Sequence, residues 1–297
     1  EIAGADPIFA PLVADILEDV SGEEAEADAS LLAYGRSLVS WKCTTRPPRG
    51  LAATLREYQL QGFAWLSNIF ANRLGGVLAD DMGLGKTLQT ITLIAKAVEE
   101  GETRPFLIIC PSSLAFNWMQ ELNRFAPGLA ALNICGVPEK RSELFNLIPV
   151  QNVVVISYAL LQRDQEALEA HVFAAVFLDE AQHIKNPGSG RTKSAKAVKA
   201  DSRFALTGTP IENSLGELWS LFDFVLPGYL FTYRRFKEEI ERPIMDGGDA
   251  GKLRELKHRI APFMLRRTKQ EVLTQLPRKT EQVVYCPMEK AQREAYL

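Results

Sequence analysis

The stretch GGVLADDMGLGKTLQTITLIAKAV (75–98) decides how the rest of the chain is read. It opens on a short apolar run, passes through a glycine-rich turn and continues with apolar residues at helical spacing. Strand, glycine turn and helix in that order are the setting a phosphate-binding loop requires. Gly83 and Gly85 let the backbone approach a phosphate closely, and the N–H groups that open the helix then face the anion. Lys86 is spaced to reach the β- and γ-phosphates of a nucleotide, and Thr87 to ligate Mg²⁺ through its hydroxyl. Asp81, Met82, Leu84 and Leu88 complete the segment expected to wrap the phosphates. The match to GxxxxGK[ST] is incomplete, because Asp80 stands where the first glycine belongs.

Outward from this loop, short apolar runs alternate with helical patterns. The runs are FLIIC (106–110), ALNIC (131–135), VVVISY (153–158), AAVFLD (174–179) and RFALT (203–207). Near-continuous apolar strands are expected when a parallel sheet is covered on both faces. Residues 87–100, 113–125 and 190–200 read as helices between them. The alternation implies an open α/β sheet that binds its ligand at the carboxyl ends of the strands. One strand ends in AAVFLDEAQH (174–183), which places Asp179 and Glu180 at the tip of an apolar run. Carboxylates there are costly unless they serve a cation or a reaction. Asp179 suits Mg²⁺, and Glu180 suits orienting and deprotonating an attacking water. The bland alternative is a helix start with acids near its dipole. His183 reads as a structural or coupling residue beside this site, and His171 and His258 as ordinary packing or surface histidines. Residues 214–275 look mostly helical, with breaks at Pro227-Gly228 and DGGDAG (246–251). QVVYC (282–286) reads as a returning edge strand.

Composition bounds the possibilities. A 297-residue chain that is 46% hydrophobic and 24% charged is not mainly disordered and has room for one large or two ordinary domains. The formal net charge of −3 supplies no global positive field, so a nucleic-acid partner must be met by a local surface. The cysteines (Cys43, Cys110, Cys135, Cys286) lie far apart with no CxxC pair, which argues against a zinc ribbon or a disulfide scaffold. No apolar run reaches about 18 residues, so no membrane partner is expected. Leu12, Val13, Ile16, Leu17 and Val20 have helical spacing, SGEEAEADAS (21–30) reads as a solvated linker or helix face, and RPPRG (46–50) marks a domain boundary. Glu1 is not an initiator methionine, and a piece of a longer protein is expected.

Three further segments give these motifs an order: LREYQLQGFAWL (55–66), CPSSLAFNW (110–118) and ALTGTPIENSLGELWSL (205–221). With DDMGLGKT (80–87) and DEAQHIKN (179–186), the chain resembles the first motor lobe of superfamily-two helicase-like enzymes, and more narrowly the Swi/Snf-type DNA-translocating ATPases. IAPFMLRRTKQEVLTQLPRKTE (260–281) looks like the stretch that closes that lobe. DEAQ followed by HIKN looks most like prokaryotic members. The resemblance covers about 51–297, with 1–50 as an upstream segment.

The resemblance implies a RecA-like, mainly parallel open sheet with helices on both faces and a helical protrusion over about 214–275. It implies ATP and Mg²⁺ as cofactors, with Lys86, Asp179 and Glu180 catalytic and Thr87 and Asp179 on the metal. Gln59 corresponds to a glutamine that reads the adenine edge, framed by Arg56 and Tyr58. Gln182, His183, Thr207, Gly208 and Thr209 fall where nucleotide state is coupled to lobe movement. Ser112, Ser113, Asn117, Ser157 and Tyr158 fall where family members contact one DNA strand. Trp118 and Trp219 read as core. Arg266, Arg267 and Lys269 read as a basic cluster that contacts DNA, packs against a second lobe, or is simply solvated. The implied partners are double-stranded DNA, a second RecA-like lobe of the same protein and a DNA-bound protein substrate. The implied setting is the cytoplasm, at the nucleoid in a prokaryote, or the nucleus in a eukaryote. The strand ending at Thr207 is expected to lie between the strands ending near Asp80 and at Asp179.

Overall fold

The computed structural model describes residues 45–210, 214–272 and 292–294. The N-terminal helical pattern, the acidic stretch 21–30 and the run 282–286 lie outside the described residues. Within them the apolar runs form strands β1 (Gly76–Leu78), β2 (Phe106–Cys110), β3 (Ala131–Ile134), β4 (Val153–Ser157), β5 (Val172–Leu178) and β6 (Lys199–Leu206). A short seventh strand, β7, spans Met264–Leu265.

All seven join one sheet in the order β3-β4-β2-β5-β6-β1-β7, and every pairing is parallel. As expected, β6 separates β1 from β5. The fold is RecA-like α/β. Strands β1, β2 and β4 are buried along their whole length. Two groups of helices cover them. Glu57–Ala71, Lys86–Glu99 and Ala115–Phe125 pack in sequence, while Tyr158–Arg163 packs on Gly190–Ala197. Phe177 and Phe204 are register partners on β5 and β6, fully buried, with rings stacked at 5.0 Å.

The sequence expectations need adjustment at the edges. Helix 190–200 ends at Ala197, and β6 begins at Lys199. Chain reversal and burial of Ser202 and Phe204 against the sheet outweigh the helical pattern there. Asp80 and Asp179 each stand just beyond a strand, as the first polar groups past an apolar run. The region after Ser214 is helical through Leu215–Val225, then breaks at Pro227-Gly228, where Gly228 has φ 82°. Helical turns follow at Tyr233–Phe236, Lys237–Glu241 and Arg242–Met245, and a helix at Ala250–Ile260. Asp249 caps the last of these, its carboxylate accepting from Gly251 and Lys252 N–H at 2.9 Å. The helical reading fails at Met264–Leu265, which pairs with β1 and occupies the sheet edge. Phe263, fully buried, and the Trp65 indole N–H donating to Pro262 O at 3.2 Å hold this segment down. Among the described residues no helix is long and apolar enough to cross a membrane.

Replacing Phe177 by Ala removes a wholly buried ring from the centre of the sheet. A loss of about 3–5 kcal/mol in urea-unfolding free energy is expected. A loss below about 1 kcal/mol would contradict the burial described here.

Candidate nucleotide site

The glycine loop follows β1 and ends at Lys86, the first residue of the helix Lys86–Glu99. Gly85 caps this helix in the left-handed region, at φ 79°. A Cβ there would also meet Gln59 Nε2 at 2.5 Å, so two independent constraints require glycine. Gly83 is left-handed too, at φ 85°. The loop is closed tightly, with Leu84 N–H donating to Asp81 O at 3.3 Å and Asp81 N–H donating to Arg267 O at 3.0 Å. The Lys86 ammonium donates to Asp80 O at 2.6 Å and Asp81 O at 3.3 Å, so the lysine lies back across its own loop. Burial pushes its pKa down, and Asp80, Glu180, Asp179 and Asp81 pull the other way.

Asp80, in the place of the missing glycine, is fully buried. Its carboxylate meets the guanidinium of Arg267, 187 residues away, with Arg267 Nε at 3.0 Å from Oδ1 and Nη2 on Oδ2. Arg267 also donates to Gln89 Oε1 at 2.9 Å and to the carbonyl of Tyr58. It is thus a buried anchor, and the solvated or DNA-facing reading of the basic cluster does not hold for it. An unpaired carboxylate would be costly at this buried position, and Gln89 Nε2 also donates to it at 3.4 Å. Arg266 and Lys269 are exposed.

Gln59 is buried behind the loop. It donates to Leu84 O at 3.2 Å and accepts from Arg56 N–H at 3.0 Å. Arg56 itself is exposed, and Tyr58 is half-buried, with its ring 5.5 Å from the Arg267 guanidinium carbon. Met82 is exposed at the loop's tip and packs near Gly208. Leu84 is buried, and Thr87 and Leu88 are half-buried in the first helical turn.

Across the sheet, Asp179 accepts from the Trp118 indole N–H at 2.8 Å on Oδ2 and from Glu180 N–H at 3.0 Å on Oδ1. Tyr158 donates its hydroxyl to Asp179 O at 2.9 Å. Burial raises the Asp179 pKa, and the Glu180 charge adds to that, while the indole bond opposes it. Glu180 is one of few non-glycine residues at positive φ, at 49°. Such strain is retained where the surroundings over-determine a residue, as at functional sites. Gln182 donates to Glu180 Oε2 at 2.7 Å and accepts from Thr207 Oγ1 at 3.3 Å, and Thr209 N–H donates to Thr207 Oγ1 at 3.1 Å. A continuous polar line therefore runs from Glu180 through Gln182 to the TGT turn after β6. His183 stands beside it, with its ring 5.0 Å from Tyr158, and burial with the nearby Arg191 charge lowers its pKa.

Ser112, Ser113 and Asn117 are exposed after β2. Ser157 and Tyr158 turn inward instead. Ser157 caps a helix by accepting from Leu160 N–H at 3.4 Å, and Tyr158 is almost wholly buried. Trp118 and Trp219 are core residues, as read from the sequence, but Trp118 also holds Asp179, a role its apolar face does not announce.

The family model described as the SNF2-related domain matches residues 58–297. The chain belongs to this family. The SNF2-related chain is 40% identical over 270 residues to TATA-binding protein-associated factor mot1 of Schizosaccharomyces pombe, covering 83% of this chain and 14% of that protein. It is 38% identical over 271 residues to the chromatin-remodeling ATPase INO80 of Cryptococcus neoformans, covering 85% of this chain and 15% of that one. A solved structure of the Sulfolobus solfataricus SWI2/SNF2 ATPase core in complex with dsDNA superposes with a TM-score of 0.72 at 41% identity. It covers 85% of this chain and 53% of that chain. The SNF2-related chain spans about a seventh of the fungal relatives' length. Fungal proteins match at nearly the same identity as the Sulfolobus structure, so the expected likeness to prokaryotic members is not supported.

The donor set has a definite character. No group of three or more His, Cys, Asp or Glu side chains is arranged to hold a metal among the described residues. Asp179 offers a carboxylate and Thr87 a half-buried hydroxyl in the first helical turn, oxygen donors of the kind Mg²⁺ takes.

Trp118→Phe should cost about 1–3 kcal/mol of stability at neutral pH, where Asp179 is ionised and loses a donor. The polar part of that loss should fade as pH falls through the raised Asp179 pKa, above the ordinary aspartate range near 3.9. Urea unfolding of both proteins from neutral to acid pH measures the difference. A loss that does not change with pH would contradict the indole–carboxylate bond.

Proposed function

We propose that this chain is the ATP-binding first motor lobe of a Swi/Snf-type, chromatin-remodeller-like ATPase that moves along double-stranded DNA. Residues 51–297 would form the lobe, with 1–50 upstream and the helices after Ser214 as its protrusion. The observation that carries the reading is a convergence at one sheet end. The Lys86 loop follows β1, the strained Asp179–Glu180 pair follows β5, and the Gln182–Thr207 link joins that pair to the turn after β6 between them.

In this reading the loop N–H groups and Lys86 bind the β- and γ-phosphates of ATP. Lys86 leaves the carbonyls of Asp80 and Asp81 to do so. Thr87 and Asp179 hold Mg²⁺, which when bound neutralises phosphate charge. Trp118 and the Glu180 N–H fix the Asp179 carboxylate. Glu180 orients and deprotonates the attacking water, and Gln182 reports its position to Thr207, Gly208 and Thr209. Gln59, with Arg56 and Tyr58, would meet the base, its amide turning from Leu84 O and Arg56 N–H to do so. Ser112, Ser113 and Asn117 suit sequence-independent phosphate contacts. The Sulfolobus relative's complex with dsDNA supports this choice of partner. A second RecA-like lobe of the longer protein supplies the arginines that stabilise the transferred phosphoryl group, and a DNA-bound protein is the substrate moved.

Losing such arginines costs about 10³–10⁵ in rate. This chain alone should therefore bind Mg²⁺–ATP yet release phosphate far below about 1 s⁻¹, with or without double-stranded DNA. Joining the second lobe should restore DNA-stimulated release. Lys86→Ala should abolish nucleotide binding, and Glu180→Gln should keep binding and lose hydrolysis. Turnover near 1 s⁻¹ by the chain alone, stimulated by DNA and lost in Glu180→Gln, would sink the need for a second lobe.

A further inference from the structure

We propose that Lys269 is a second phosphate-facing cation of the nucleotide site, held over the glycine loop by the segment that returns from the helical protrusion. The proposal rests on the nucleotide reading of Lys86 and adds a residue from the far end of the lobe. Its ligand is the polyphosphate of a nucleoside di- or triphosphate.

The returning segment follows the loop bond by bond. Ala79 N–H donates to Leu265 O at 2.7 Å, and Asp81 N–H donates to Arg267 O at 3.0 Å. Lys269 N–H then donates to Asp81 Oδ2 at 3.0 Å. Between these points Arg267 locks the alignment through Asp80, Gln89 and the Tyr58 carbonyl. Gly62 leaves the space this anchor fills, since a Cβ there would lie 2.6 Å from Arg267 Nη2. Arg267 is thus a positioning residue, its guanidinium committed to Asp80, Gln89 and the Tyr58 carbonyl.

The alignment carries the Lys269 side chain across the loop. A Cβ built on Gly83 would lie 3.7 Å from both Cε and Nζ of Lys269. Gly83 and Lys269 are both exposed, so the ammonium stands at the solvent side of the loop, where a phosphate enters. Lys86 lies on the inner side, against the carbonyls of Asp80 and Asp81. The loop is therefore flanked by one cation from its own helix and one from the returning segment. A lysine suits the outer position, because a point charge on a flexible stem follows a phosphate as it settles. It also ties the end of the protrusion to nucleotide occupancy, since the same few residues leave the last protrusion helix and reach the phosphate.

The test is nucleotide affinity of the whole chain, measured by calorimetry with Mg²⁺–ATP and with Mg²⁺–ADP. Lys269→Gln should weaken both by about fivefold or more at low salt, with a smaller defect at high salt. Lys269→Arg should keep the parent's affinity, and both Lys269 variants should melt with the parent, because that side chain is exposed. Lys86→Ala should abolish binding. If Lys269→Gln binds as tightly as the parent while Lys86→Ala does not bind, the Lys269 contact is wrong and the nucleotide reading stands. If Lys269→Arg is as weak as Lys269→Gln, the charge is not what matters and the proposal falls. If Lys86→Ala binds like the parent, or the parent does not bind, the nucleotide reading and the proposal fall together.

Discussion

The arrangement depends on one buried ion pair, Arg267 with Asp80. A carboxylate fully withdrawn from water at the end of an apolar strand is tolerable only with a cation and good hydrogen bonds. Arg267 supplies both, and its remaining donors fasten Gln89 and the carbonyl of Tyr58. One guanidinium therefore joins the start of the helix Glu57–Ala71, the glycine loop, the loop's helix and the segment that follows β7. Removing either partner from such a pair typically costs about 3–5 kcal/mol. Here the cost would fall on the geometry of the loop itself.

A second constraint is the sign of the charge around the loop. Asp81, Asp179 and Glu180 surround Lys86 in a half-buried space, with Asp80 already committed to Arg267. That surplus of acid is unfavourable alone and would be offset by the divalent cation of the proposed nucleotide complex. The raised pKa of Asp179 and the lowered pKa of Lys86 have one physical origin, the removal of both charges from water. The indole of Trp118 and the backbone of Glu180 then hold the Asp179 carboxylate in one orientation. A carboxylate pre-oriented in this way would need little reorganisation to hold the proposed Mg²⁺.

Much of this was legible in the residues. The positions of β1 to β6 along the chain and the loop at 80–87 follow from apolar runs and glycines, and the interposition of β6 follows from the motor-lobe resemblance. What stayed hidden depends on long-range pairing. Nothing local to RRTK marks Arg267 as the partner of Asp80, although an acid in place of a glycine after GGVLA does demand a cation. Met264–Leu265 is too short for period-two alternation to register, and helical residues flank it. Trp118 carries no sign of its polar role, because an indole facing a core and an indole donating to a carboxylate read alike. Ser157 ends β4 and Tyr158 opens the following helix at the expected side of the sheet, but capping and burial turn them inward.

Hydrogen exchange read by mass spectrometry, with and without saturating Mg²⁺–ATP, reports whether nucleotide occupies the glycine loop. The loop N–H groups receive the phosphates in this account, and the returning segment lies against them. Protection should rise in peptides covering residues 81–88 and 264–272, and stay unchanged across the protrusion turns 233–245. No change at 81–88, or protection confined to the protrusion, would contradict the nucleotide site described here.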